Sequence, residues 1–216
     1  MSTFKYWTPE ELLNVLAEAK KASPRNHLIV LLGYKHGLRA SEIARLRLKD
    51  VASGRLDCKR LKGSLHTNRP LESNDNVLLC EKRALAAYLS ERPTGESPFL
   101  FVSRLSVKAR ERAANRRTDA DRWGEDVDRT ARGISRDAIA EVFEDATFRA
   151  GIEPGRRNPH CAKHSLGAHL YRAGVDTFAL QQILGHRDAK STAVYAGVTQ
   201  DEAHAKARSA ISAIFA

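Results

Sequence analysis

In the stretch LQQILGHRDAKSTAVYAGVT, Tyr195 stands nine residues after His186. A phenol becomes a nucleophile when a neighbouring group takes its proton, and imidazole is the side chain that does so most readily near neutral pH. Three further clusters hold groups able to do chemistry. GLRASEI sets Arg39 between a glycine expected to end one helix and a serine expected to cap the next. RLKGSLHTNRPL sets Lys62 before a glycine in a predicted hairpin, where its ammonium would project from a tight turn. PHCAKHS sets His160 and Lys163 three apart, neighbours on one helical face. Taken singly, each has an ordinary reading as a solvated charge, a helix cap or a half-buried helix aromatic. Their order along the chain is what asks for a common explanation.

The elements that must position these groups are mostly helical. Thr8-Pro9-Glu10-Glu11 has the cap, first-turn proline and third-position glutamate of a helix start, and Leu12, Leu13 and Leu16 carry the helix to about Lys21. Pro24 opens a second helix that ends at Gly37, and ASEIARLRL gives a third, short one. Between Val51 and Leu79 the segments RLDCKRL and NRPLESNDNVLL predict a small antiparallel sheet, and helix resumes from Glu81 to Ser90. Residues 104–136 hold ten Arg or Lys and six acids with few apolar positions. They predict a charged insertion over the surface, either solvated or touching DNA. From Ser135 onward the pattern is helical again, closing on a tail at 200–216 with Ala203, Ala207, Ile211, Ile214 and Phe215 as an apolar stripe. The fold class expected is α+β, mainly helical, as a single domain over residues 1–216.

Composition narrows the partners. A chain of 216 residues with 42% hydrophobic content buries one full core, and no apolar run approaches the length of a membrane span. The start MSTFKYWTPEE lacks the order of a signal peptide, so the expected location is cytoplasmic, with no membrane partner. Three separated cysteines predict free thiols rather than a disulfide framework or a zinc site. The excess of 36 Lys and Arg over 26 Asp and Glu, a formal charge of +10, favours a polyanion and nucleic acid first.

Together the four clusters resemble the catalytic domain of the tyrosine recombinases, the lambda-integrase-like phage integrase family. The residues that carry the resemblance are Gly37-Leu38-Arg39 with Ser41-Glu42, Lys62-Gly63, His160 with Lys163-His164, and Leu184-Gly185-His186 with Tyr195. The resemblance implies that fold and a site-specific recombinase acting on double-stranded DNA without metal or cofactor. It implies a nucleoid-associated enzyme of a bacterium or its mobile elements. Tyr195 would attack a phosphodiester to give a 3′-phosphotyrosine and a free 5′-hydroxyl. Arg39 would hold the non-bridging oxygens and Lys62 protonate the leaving oxygen; His160 would move the tyrosine proton and His186 bond a phosphoryl oxygen.

Two features depart from the family pattern. Lys163 stands where the family usually has its second arginine, and an ammonium cannot bind two oxygens bidentately. The catalytic-type helices also begin near Met1, so no N-terminal core-binding domain is expected, as in the short members that include the fimbrial invertases. The resemblance further implies a tail that docks on neighbouring protomers, giving a homo-tetramer on DNA and a monomer in solution. Rival readings are a type IB topoisomerase and a DNA-binding regulator without catalysis, the latter supported by Lys163. A metal-dependent nuclease lacks a carboxylate cluster beside its histidines.

Overall fold

The computed structural model describes residues 5–61, 65–93, 97–103, 133–186 and 190–193, together with Tyr195, Arg208 and Ser212. Helix α1, Pro9–Ala22, starts as the sequence predicts: Thr8 Oγ1 accepts from Glu11 N at 3.2 Å and Glu11 returns a carboxylate oxygen to Thr8 N at 2.8 Å. Its face of Leu12, Val15, Leu16 and Ala19 is buried. Ser23 then ends α1 and caps α2, Pro24–Lys35, by accepting from Asn26 N at 3.1 Å. The run from His27 to Gly33 is buried on every side, because α2 is the central rod, packed by α1 and by later helices of the chain. Helix α3, Ala40–Arg45, follows a short turn beyond the end of α2.

The sheet is shorter than the sequence suggests. Strand β1, Arg55–Cys58, pairs antiparallel with β2, Thr67–Pro70, in a register that sets Arg55 opposite Pro70 and Cys58 opposite Thr67. Only the start of NRPLESNDNVLL is strand. Pro70 has no N–H to extend the ladder, and Asn74 and Asn76 bend the chain by accepting from Asn76 N and Leu78 N at 2.9 and 3.0 Å. Helix α4, Glu81–Glu91, follows.

The charged insertion has a narrower root than its composition suggests. Val102 bridges Gly133, Ile134 N donates to Phe101 O at 2.9 Å, and Ile134 is buried, so 133–136 belongs to the body of the fold. Residues 104–132 lie outside the described residues, as does nearly all of the tail. Helix α5, Arg136–Arg149, is capped by Ser135 and packs Phe143 and Ile139 into the core.

Helix α6, Pro159–Arg172, carries several of the residues of interest and is anchored from the N-terminal side. Trp7 is fully buried; its N donates to Ser165 Oγ at 2.8 Å and its indole N–H to Arg156 O at 3.0 Å. Trp7 O accepts from His169 Nε2 at 2.8 Å, which leaves His169 Nδ1 to accept from Tyr34 at 3.0 Å. Helix α7, Thr177–Leu184, is capped by Asp176 and closed by Gly185, whose φ of 66° places it in the left-handed region that suits glycine. A single turn, α8, Lys190–Ala193, leads to Tyr195. The three cysteines are free and buried, and no helix among the described residues is long and apolar enough to cross a membrane.

Candidate active site

Arg39 sits at the junction between α2 and α3. It is itself the residue that precedes the first turn of α3, and Ser41, expected to cap, lies inside that turn. The cap is supplied in reverse: Glu42 accepts from Arg39 N at 2.8 Å and from its Nη1 at 3.1 Å. The Glu42 carboxylate is fully buried while the Arg39 side chain keeps 28% of its surface exposed, so the arginine is held from beneath and still reaches the surface. Glu42 also accepts from Leu61 N at 3.1 Å, which ties α3 to the hairpin. Lys62, one residue further, lies outside the described residues.

From α6, Lys163 points inward and donates to Leu184 O at 2.8 Å, at the carbonyl end of α7. Burial is the main reason its ammonium is pushed down to about 7, with the Arg60 and Arg39 guanidiniums adding to it and Glu42 opposing. Near neutral pH this lysine is therefore divided between charged and neutral forms. His160, on the first turn of α6, is exposed. His164, one turn along, meets the phenol: its Nδ1 lies 3.1 Å from Tyr195 Oη. Burial, then His160 and Lys163, push His164 down to about 4, so its ring is neutral and can accept a hydrogen bond from the phenol.

Tyr195 is only 7% exposed and packs with Leu166 and Leu184. Its ring lies over Gly167, where a Cβ would run into Tyr195 Cε1; no larger residue fits beneath it without moving the ring. Burial raises the phenol's pKa, which keeps it protonated in this position. The His186 ring runs nearly parallel to it, at 9° with centroids 6.4 Å apart, and its Nδ1 is 2.9 Å from Thr192 Oγ1. His186 is also pushed down to about 4, first by burial, then by Lys163, Arg39, Arg60 and His164. Arg39, Lys163, His164 and His186 thus act on one another within one small volume, although they come from three distant segments.

Three features here are not evident from the sequence clusters alone. His164 stands inside the motif, and its spacing from His160 puts both on one helical face. Arg60 continues the alternation of Leu56 and Cys58, whose side chains face inward, so a strand period of two would have turned it into the core. Nothing in the sequence marks Gly167 as the floor beneath a ring. Among the described residues no group of three or more His, Cys, Asp or Glu could hold a metal ion.

The sequence and fold have counterparts. The profile of the phage integrase family matches residues 5–202, and the chain belongs to that family. It is 29% identical over 197 residues to tyrosine recombinase XerA of Pyrococcus furiosus, covering 90% of this chain and 58% of that protein, less than two thirds of its length. It is 28% identical over 203 residues to the type 1 fimbriae regulatory protein FimE of Escherichia coli K12, covering 90% and 86% of the two chains. The crystal structure of the XerH site-specific recombinase bound to its difH substrate superposes with a TM-score of 0.68 at 19% identity, over 94% of this chain and 53% of the other. At that identity the likeness is one of fold.

Proposed function

We propose that this chain is a site-specific DNA recombinase that cleaves and rejoins duplex DNA through Tyr195. The observation that carries the reading is the gathering of Arg39, Lys163 and His186 around the end of α7, beside a phenol whose hydrogen-bond partner is the neutral His164. Membership of the phage integrase family and the recombinase relatives support it. Residues 1–216 act as one catalytic domain, and double-stranded DNA is the substrate.

A phosphodiester entering beside Arg39 meets a planar fork of donors for its non-bridging oxygens, with Lys163 and His186 as further donors. The anion also reverses the electrostatics of Lys163, because a phosphate beside a buried ammonium favours its charged form. Tyr195 Oη attacks phosphorus and its proton passes to an imidazole, His160 or His164. The bond to the 5′-oxygen breaks, and that oxygen takes a proton from Lys62. The phosphotyrosine ester keeps the bond energy, so a second 5′-hydroxyl can attack it, release Tyr195 and seal the strand without an added energy source. The tail, with its apolar stripe, docks on a neighbouring protomer and assembles a tetramer on paired DNA sites.

The test is covalent capture. Nicked suicide duplexes from the DNA flanking its own gene are incubated with the protein and with Tyr195→Phe, and a denaturant-resistant adduct is sought. An adduct with the unaltered protein alone is expected; DNA binding with no adduct would overturn the reading. One observation favours a second reading, a DNA-binding regulator without cleavage: Lys163 is buried and tied to Leu184 O. If binding occurs without capture, and Lys163→Arg restores no adduct, that reading replaces the first.

A further inference from the structure

Arg60 is an arginine that cannot touch DNA. Its side chain is fully buried, and both terminal nitrogens of its guanidinium are committed to hydrogen bonds, while Nε makes an ion pair but no hydrogen bond. Nη1 donates to His36 O at 2.9 Å and to Thr67 Oγ1 at 3.0 Å; Nη2 donates to Gly37 O at 2.8 Å and to Leu184 O at 3.1 Å. Nε faces Glu42 Oε2 at 3.2 Å as an ion pair.

Those partners are informative because of where they stand. Gly37 lies two residues before Arg39, and Leu184 lies two residues before His186. Glu42 is the carboxylate that holds the backbone and guanidinium of Arg39, and Leu184 O is the same carbonyl that takes Lys163 Nζ. Thr67 begins β2 on the far side of the hairpin. The packing is close: a Cβ on Gly185 would stand 3.4 Å from Arg60 Cζ. A single guanidinium thus fixes the separations among three segments bearing candidate site residues. A lysine has one nitrogen and could satisfy only part of this set, whereas the arginine fork fits carbonyls converging in a plane.

We propose that Arg60 is a positioning residue for cleavage, setting Arg39 through Glu42 and the α7 terminus that carries His186 and receives Lys163. It orients the groups that neutralise phosphoryl charge without itself reaching the phosphate. Resting on the recombinase reading above, the assignment is tested so that the two fail separately.

The experiment compares the full chain with Arg60→Lys on two nicked suicide duplexes: one with an ordinary scissile phosphodiester, one with a methylphosphonate there, which lacks the non-bridging charge that Arg39 serves. DNA affinity is measured alongside the rate of covalent capture. Arg60→Lys is expected to bind DNA within about threefold of the unaltered protein yet form adduct about 30-fold or more slowly on the phosphodiester. On the methylphosphonate the deficit is expected to shrink to about threefold or less, since misplaced cations matter little where no charge develops. A loss of the same size on both substrates would mean a merely structural role, and no loss on the phosphodiester would mean no role; either overturns the proposal. If Arg60→Lys does not melt cooperatively, Glu42→Gln reads the same link, with the same pair of substrates deciding. If the unaltered protein forms no adduct with either, the recombinase reading falls and takes this assignment with it; in every other outcome that reading stands.

Discussion

At the level of single residues, the site is governed by what burial does to charge. His27, His164, His169 and His186 all have lowered pKa values, with desolvation the largest cause in each. The unfolded chain takes up protons on these rings around pH 6.5, while folded His164 and His186 resist protonation until about 4. In that window the unfolded state binds more protons, so stability is complete above it and is lost as pH falls through it. The urea midpoint is therefore expected to fall between pH 7 and pH 5, before the carboxylates titrate; a flat profile would contradict the buried neutral histidines. Lys163 makes the second residue-level prediction. If Lys163 serves the charge-developing step as proposed, Lys163→Ala should slow covalent capture by about 10²-fold or more while DNA affinity changes little. Equal losses in binding and capture, measured by gel shift and adduct formation, would assign Lys163 to binding alone.

Among the elements, close approach decides what fits. The Tyr195 ring lies over α6 only because residue 167 has no side chain. Gly167→Ala forces either the ring or the helix to move, and such overpacking costs about 1–3 kcal/mol in folding stability. Removing the ring should remove that cost: in a Tyr195→Ala background, Gly167→Ala is expected to be near neutral. A double-mutant cycle from denaturant unfolding checks this, and additivity of the two changes would show that the two residues do not touch in solution. The same reasoning explains why the sheet is shorter than its sequence texture suggests. Val77, Leu78 and Leu79 have the apolar texture of a strand, yet the asparagine side chains before them satisfy local backbone donors and bend the chain into α4.

For the molecule as a whole, the formal charge of +10 is unevenly placed along the sequence. Segment 104–132 carries nine Lys or Arg and six Asp or Glu, and leaves and re-enters the fold at the Val102 and Gly133 bridge. Because its ends are already joined, it can be replaced by a short turn without pulling the core apart. If its cations neutralise phosphates, deletion should flatten the dependence of log affinity on log salt by about 0.9 for each phosphate no longer neutralised. An unchanged affinity and slope would leave the segment no part in DNA binding.

The helices, most of their caps and the family are legible along the chain, though Ser41 is not the cap of α3. Thr8, Ser23, Ser135 and Asp176 each cap a helix within a few residues of their own position, and the cluster order from Arg39 to Tyr195 already marks the phage integrase family. Local hydrogen bonds and helical periodicity are properties of neighbouring residues, which is why they can be read along a line. Only packing in three dimensions puts His164 against the Tyr195 phenol, sets Glu42 to hold Arg39, and lets Arg60 reach a carbonyl 124 residues further along the chain. Those relations depend on how α6, α7 and the hairpin pack on α2. That packing is set by summed burial over the whole core, which no single stretch of sequence contains.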